Sequence, residues 1–400
     1  MHSKQSQSLS GWLVFLMAFA IGVTIASNYY AQPLLHSITA DLHIAIEHAG
    51  SIIMTAQFSY AVGLLFITPL GDKVERKQLI LILMVLTTCG LIVSALSQNL
   101  WMLIIGTAIT GLFSAVAQVL IPFAATLAKP EHRGKIVGTL MSGMLLGILL
   151  GRSFAGAISS IADWHDVYWI ATVIMSIVTL LLGLSLPSYR NKANINYWQL
   201  MFSIGSLYRQ ERTLRIRSVL AIISFAIFSL LWTPLAFLLS DPPYHYSDFI
   251  IGLFGFAGAA GAMGSPIVGR LSDKGKGVIA TSIGLTLLLV SWLPLSLAHY
   301  SIIALVLGVI LLDFAVQVTH VSNMNAIYQI RPEARSRMNT GYMVSYFIGG
   351  MLGSVTSTYL YSHYGWFAII VSGIMLALIG IIAWSHYIKT YSTPETSCHT

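Results

Sequence analysis

The sequence predicts an all-α membrane protein whose twelve transmembrane helices form two parallel six-helix repeats. The composition, the spacing of the apolar blocks and the likeness of the two halves support this prediction. Of 400 residues, 56% are hydrophobic and 9% are charged, whereas soluble globular proteins carry about 25% charged residues. A helix needs about 20 apolar residues to cross the bilayer, so twelve helices use about 240 residues and leave no room for a large soluble domain.

Apolar blocks separated by short polar turns predict the positions of the spans. The first block follows Lys4 and ends in small residues near Ala26 and Ser27, as a signal peptide would. We interpret it as a transmembrane helix, because its removal would leave the first repeat incomplete. The predicted spans are residues 12–35, 50–70, 78–97, 101–128, 135–160, 167–187, 218–240, 250–270, 278–298, 301–329, 337–361 and 366–388.

The distribution of positive charge predicts the orientation. All Lys and Arg residues of the predicted loops fall on one side, and the intervening loops carry acidic residues but no Lys or Arg. The positive-inside rule then places both termini in the cytoplasm. The net charge of +7 therefore reflects topology rather than nucleic-acid binding. The two cysteines, Cys89 and Cys398, form neither a disulfide framework nor a metal cluster, and no cofactor is expected.

The two halves of the chain resemble each other, which predicts the domain organisation. We expect a bundle of residues 1–187, a cytoplasmic linker of residues 188–217, and a second bundle of residues 218–400 that ends in a short cytoplasmic tail. Tyr197 and Trp198 lie in a linker segment that suits either an interfacial helix or a solvated connection. A shift of 202 residues aligns Pro130 with Pro332, Arg133 with Arg335, Gly147 with Gly349, Gly151 with Gly353 and Trp164 with Trp366, and a shift of 201 aligns Asp72 with Asp273.

The loops after spans two and eight carry related motifs. The pattern Gly-x-x-x-Asp-Arg/Lys-x-Gly-x-Arg/Lys is matched in part by Asp72, Lys73 and Arg76, and again by Gly269, Asp273 and Lys274. With this motif and the twelve-span repeat, the chain resembles the major facilitator superfamily over essentially its whole length, and within it the bacterial drug and sugar exporters. The resemblance implies that these loop charges brace a cytoplasmic gate, in a protein of the bacterial inner membrane. The alternative is that the cations only set topology.

Two charged residues, Arg152 and Asp313, lie deep inside predicted spans. A charge at that depth costs at least about 2.5–3.5 kcal/mol, so each requires a partner or a water-filled cavity. Both lie about 17 Å from the outer end of their spans at the helical rise per residue, and they could pair across the two halves. We hypothesise that Asp313 binds the coupling proton when a conformational change separates it from Arg152. The alternative is a static ion pair that specifies helix packing.

Polar residues continue from Asp313 along one face of span ten. Gln317 and His320 follow at helical spacing, with Asn323 further along. His320 could relay the proton, contact the solute or simply be hydrogen-bonded within the protein. Under the 202-residue shift, Gln118 in span four falls at the position of His320. These polar side chains predict a face that meets water or a solute rather than lipid.

Other polar and aromatic side chains predict a site for an amphipathic or moderately polar organic solute. Asn28 and Gln32 lie in span one, Gln57 and Tyr60 in span two, and Trp232 in span seven. The alternative is ordinary hydrogen bonding between helices. In span five, glycines at every fourth position predict close helix packing: Gly143, Gly147 and Gly151.

These features predict a secondary carrier that couples solute export to protons. A solute-uptake carrier of the same fold is the alternative, and a transporter-like membrane sensor is a weaker one. No nucleophile, paired-carboxylate or metalloprotease motif occurs within the spans, so an enzyme is not expected. The expected partners are a small-molecule solute, protons and the lipid bilayer, with no nucleic acid, and the protein is expected to be a monomer. Related drug antiporters carry Gly-Pro late in span five, where this chain has Gly151 followed by Arg152.

Overall fold

A computed structural model describes residues 10–188, 197–262, 276–331 and 334–391. These residues form helices joined by short turns, which confirms the predicted all-α class. The helices are α1 (Gly11–Ala26), α2 (Ala31–Asp41), α3 (Ile46–Phe66), α4 (Arg76–Ala95), α5 (Leu100–Phe113), α6 (Val116–Leu127), α7 (Arg133–Ser159), α8 (Trp164–Ser185), α9 (Tyr197–Gln210), α10 (Arg212–Trp232), α11 (Leu235–Ser240), α12 (Asp248–Ala262), α13 (Gly277–Val290), α14 (Trp292–Ser296), α15 (Ile302–Ile330) and α16 (Arg335–Tyr391).

Within the described residues, ten helical segments are long and apolar enough to cross a membrane. One of them, α16, contains Gly365 at φ 67°, a backbone conformation that glycine adopts readily. The chain bends there, so this segment holds predicted spans eleven and twelve. The helix Asp248–Gly261 is a shorter apolar segment at predicted span eight. The helices are therefore consistent with twelve crossings.

Several spans consist of two helices rather than one. Span one is interrupted between α1 and α2, and span seven between α10 and α11, directly before Leu235. Pro33 lies in the first turn of α2 and does not end the span, because a proline there removes an N–H that has no partner within the helix. Span one therefore continues to Asp41, six residues beyond its predicted end.

Many large apolar side chains are exposed in this protein. They include Trp101 at 74% and Leu184 at 77% of their full accessible surface. In water such exposure would be costly, whereas a bilayer solvates these side chains. With the length of the helices, this pattern identifies a multi-pass membrane protein.

The contacts divide the chain into two compact units. Unit 1 comprises residues 1–201 and 232–256, and unit 2 comprises residues 202–231 and 257–400. The bundle boundaries expected from the internal repeat remain a prediction, because this division follows contacts rather than sequence similarity. Within the predicted linker, α9 is helical, and α10 begins at Arg212, ahead of the predicted start of span seven.

Small residues pack helices closely in both units. In unit 1, Gly143 and Gly147 of α7 lie against the backbone of Ala18 and Gly22 of α1, so a side chain at either glycine would overlap it. In unit 2, two glycines of α16 lie against the backbone of α10: Gly349 against Ile222 and Gly353 against Ala226. The close packing predicted from the glycine spacing of span five is therefore present.

Candidate functional site

Arg152 lies in the interior of unit 1, on α7, with only 3% of its surface exposed. Its Nε donates a hydrogen bond to Oε1 of Gln32 over 2.8 Å. Its guanidinium carbon lies 3.9 Å from the ring centre of Trp232 and 5.1 Å from that of Tyr29. Such cation–π contacts contribute about 2 kcal/mol or more each when water is excluded. Helices α2 and α10 therefore both supply contacts to this charge.

The backbone around Arg152 is arranged by close packing of α7 and α12. Ser153 donates a hydrogen bond to the carbonyl oxygen of Gly252 over 3.1 Å. A Cβ atom at Gly252 would lie 2.8 Å from the carbonyl oxygen of Arg152, so this position requires a glycine. A small cavity adjoins the arginine and is lined by Gln32, Pro33, Arg152, Trp232, Leu235, Ala236 and Ile251. Two predicted solute-binding residues, Gln32 and Trp232, thus meet at Arg152.

The other predicted polar residues of unit 1 lie apart from this contact. Asn28 donates to the hydroxyl of Ser114 over 2.8 Å, which links span one to span four. Tyr60 and Gln118 share a side-chain hydrogen bond between spans two and four. Gln57 is buried, at 8% exposure. These contacts agree with hydrogen bonding between helices, and a role in solute binding stays a prediction.

Asp313 lies on α15 in unit 2 and is 6% exposed. A Cβ atom at Gly261 would lie 3.1 Å from the Cβ of Asp313, so α12 approaches the aspartate closely. Gln317 follows one turn later and is half-buried. The pairing of Asp313 with Arg152 stays a prediction.

His320 belongs to a hydrogen-bonded cluster in unit 2. Its Nδ1 lies 3.1 Å from the hydroxyl of Tyr342, and its ring centre lies 4.8 Å from that of Tyr346. Asn323 is completely buried and accepts a hydrogen bond from Nη1 of Arg217 over 3.0 Å. Asn323 thus bonds to protein groups in the interior, and its predicted role in solute binding stays a prediction.

Arg217 is a buried charge that the sequence analysis missed. It was assigned to the linker, whereas it lies in the second turn of α10 at 4% exposure. It donates to Thr281 over 2.6 Å, and its guanidinium carbon lies 4.5 Å from the ring centre of Trp384. A prediction that span seven begins a few residues earlier would have placed Arg217 inside the bundle.

Asp248 is a second buried charge that the sequence did not reveal. It was assigned to a loop, whereas it begins α12 and is 8% exposed. Its Oδ2 accepts hydrogen bonds from Ser37 over 2.6 Å and from Ser159 over 2.7 Å. The carboxylate thus joins spans one, five and eight within unit 1.

The described residues include the first copy of the motif that was predicted to brace the gate. Residues Thr68–Asp72 form a turn of 3₁₀ helix, and Lys73 is exposed. Arg76 begins α4 and is 7% exposed. It donates to the carbonyl oxygen of Gly71 over 3.0 Å and to Thr126 over 3.2 Å, so it joins the loop to span four. The residues of the second copy, Gly269, Asp273 and Lys274, lie outside the described residues.

Buried charges within a bundle of membrane-spanning helices are the mark of a protein that moves solutes or ions. The fold and these charges therefore define a membrane transport protein. A family model described as Major Facilitator Superfamily matches residues 14–330. The chain belongs to this superfamily, as its resemblance predicted.

The chain also resembles relatives that are named as transporters, and its fold resembles that of a solved transporter structure. The chain is 48% identical over 382 residues to "Uncharacterized transporter YgaY" of Escherichia coli O157:H7, covering 96% of this chain and 97% of the relative. It is 25% identical over 281 residues to "Probable sugar efflux transporter" of Helicobacter pylori strain G27, covering 68% and 69%. The fold matches a crystal structure of a bacterial homolog of the human lysosomal transporter Spinster with a TM-score of 0.78 at 13% identity, covering 97% and 98%.

Proposed function

We propose that this protein is a proton-coupled secondary transporter that exports a small organic solute across the bacterial inner membrane. In this proposal two states alternate, and Asp313 exchanges between Arg152 and a proton. The observation that carries the proposal is the burial of both charges, at 3% exposure for Arg152 and 6% for Asp313, within apolar spans. Such burial is costly, so charged residues are retained in spans mainly where they act.

Charge balance supports the assignment of the proton to Asp313. An ionised carboxylate in an apolar interior is stable only beside a cation or strong hydrogen-bond donors. When Asp313 leaves Arg152, it gains a proton from the side to which the site is open and becomes neutral. When the pair forms again, the carboxyl releases that proton. Arginine cannot take part as a proton donor, because it stays protonated in proteins.

One consideration supports export, and a second supports the class of solute. The chain resembles bacterial drug and sugar exporters in its motifs, and a relative in Helicobacter pylori carries the name "Probable sugar efflux transporter". Gln32 and Trp232 meet Arg152 beside a small cavity, so polar and aromatic groups are together there to contact an amphipathic solute. Solute and protons that move in opposite directions would support export by antiport, whereas movement in the same direction would support uptake by symport.

The test is solute-dependent proton movement in proteoliposomes that contain a pH-sensitive dye. Ethidium, chloramphenicol, arabinose and lactose serve as probe solutes under an imposed pH gradient. We expect the transport of at least one of these solutes to be accompanied by proton movement in the opposite direction. Asp313→Asn should abolish this proton movement while exchange of labelled solute at equilibrium continues.

Asp248→Asn is the matched control. It makes the same chemical change at a second buried aspartate, one that bonds to Ser37 and Ser159 and not to Arg152. We expect this control to keep the ratio of protons to solute, even if it slows transport. Solute accumulation by Asp313→Asn that equals that of the parent protein would contradict the proposal.

A further inference from the structure

A chain of hydrogen bonds in unit 2 leads from Arg217 to His320. Nη1 of Arg217 lies 3.0 Å from Oδ1 of Asn323. Nδ2 of Asn323 lies 3.5 Å from the hydroxyl oxygen of Tyr342, and that oxygen lies 3.1 Å from Nδ1 of His320. Arg217 is 4% exposed, and Asn323 and Tyr342 are completely buried. Bulk water therefore does not compete for these bonds.

Arg217 determines the direction of the first two bonds. A guanidinium group only donates, so the atom of Asn323 that faces it is the amide oxygen. The amide nitrogen is then turned the other way, where it also lies 3.4 Å from the carbonyl oxygen of Arg217, an acceptor. The hydroxyl oxygen of Tyr342 consequently accepts a hydrogen bond from Asn323.

The Tyr342 hydroxyl can donate its proton to one acceptor among the described residues. Among the described residues, this hydroxyl bonds only to Asn323 and His320. A buried O–H group without an acceptor is costly, so the hydroxyl donates to Nδ1 of His320. Since Nδ1 is then an acceptor, the ring of a neutral His320 carries its proton on Nε2.

We propose that His320 presents its Nε2–H to the solute as a fixed hydrogen-bond donor, and that the solute carries a matching acceptor oxygen, such as that of a carbonyl or ether group. The proposal rests on the transport function above and chooses solute contact over proton relay for this histidine. His320 is half-buried, and its Nε2 has no hydrogen bond to any described residue. Tyr342 and Tyr346, the two tyrosines beside His320, belong to an apolar cluster. Partly buried apolar side chains pack against that cluster, which favours an amphipathic solute: Phe228, Met324, Met343 and Phe347.

The tautomer is tested by nitrogen NMR of the full-length protein labelled in its histidine rings, with His320→Gln identifying the signal. We expect a proton on Nε2 in the parent and in Arg217→Lys, because a lysine ammonium also only donates. In Arg217→Met the amide of Asn323 loses its fixed orientation, and the tautomer protonated on Nδ1 should appear. Tyr342→Phe, which removes the hydroxyl itself, should have the same effect and serves if Arg217→Met does not fold.

Two outcomes would overturn the inferred direction of the hydrogen bonds between Arg217 and His320. One is a proton on Nδ1 in the parent protein, and the other is an unchanged tautomer in both Arg217→Met and Tyr342→Phe. Either result would leave the coupling role of Asp313 unaffected, because that role is measured separately as proton movement in Asp313→Asn.

The solute class is tested with two probes that differ in one acceptor oxygen, acetophenone and ethylbenzene. We expect acetophenone, and not ethylbenzene, to shift the Nε2 signal of His320. In direct binding measurements with the two probes, His320→Gln, which places an amide group near the position of Nε2, should keep part of the preference for acetophenone, whereas His320→Leu should lose it. Equal responses to the two probes, or no response to either, would overturn the solute class.

Discussion

Gln32→Glu changes the electrostatics of Arg152 without changing the size of its neighbour. The Oε1 atom of Gln32 lies 2.8 Å from Nε of Arg152, so the new carboxylate would contact the guanidinium directly. Opposite unit charges about 4 Å apart attract by about 4 kcal/mol at an effective dielectric constant near 20. At about 1.4 kcal/mol per tenfold change, this is about a thousandfold bias towards pairing within unit 1.

In the proposed transport cycle, this bias should prevent Arg152 from acting as a partner for Asp313. Solute-dependent proton movement in proteoliposomes should fall at least about tenfold, while the amount of folded protein in the membrane stays near that of the parent. The matched control is Gln32→Met, which has similar length and no charge. It removes one hydrogen bond to a charged group, a loss of about 1.5–3 kcal/mol, but offers Arg152 no competing anion.

The two variants together test whether coupling depends on the charge of Arg152. Coupling in Gln32→Glu equal to that of the parent would refute the role of the Arg152 charge. An equal loss of coupling in Gln32→Glu and Gln32→Met would show that Gln32 matters because it positions the side chain of Arg152. The competing negative charge of the glutamate would then have no effect of its own.

Three further predictions concern stability and topology. Ser37→Ala should destabilise the protein by about 1.5–3 kcal/mol in chemical unfolding, because it removes a hydrogen bond to the buried carboxylate of Asp248; an unchanged unfolding midpoint would show that this bond contributes nothing. Partial burial acts to raise the pKa of Asp163, but hydrogen bonds and charge from His165 hold it below its ordinary value, so Asp163→Ala should cost about 1 kcal/mol through loss of this helix cap. The ionised form of Asp163 is favoured in the folded state, so its contribution is complete above the ordinary carboxyl pKa and is lost as the pH falls through the lowered value; a difference between parent and variant that grows in acid would contradict this. In a cysteine-free background, a membrane-impermeant maleimide should label His43→Cys and not Lys73→Cys in intact cells, and the reverse would overturn the predicted orientation.

The helices and their close contacts could be predicted well because they depend on local pattern. Apolar blocks of about 20 residues identify crossings regardless of their neighbours. Glycines at every fourth position lie on one helix face, and Gly147 does pack against another helix there. The extended end of span one was missed, because Pro33 is tolerated in the first turn of α2 although proline often ends a helix.

The polar contacts were harder to predict because they join distant parts of the chain. Arg217 counted as a linker charge, since its burial depends on Thr281 and Asn323, which lie 64 and 106 positions away. Asp248 counted as a loop charge, since Ser37 and Ser159 reach it only when spans one, five and eight meet. Helical spacing placed Asn323 on a polar face but did not reveal its contact with the buried Arg217, which depends on how two distant helices pack.

The sequence by itself determined that this chain crosses the membrane many times, which stretches cross it, and that its halves repeat one design. Hydrocarbon thickness and backbone hydrogen bonding impose these features on each segment separately. Only the tertiary structure decided which polar groups meet, as when Gln32 and Trp232 converge on Arg152. Periodicity places a side chain on a face of its helix, whereas its partners depend on how that helix is rotated, bent and packed against others.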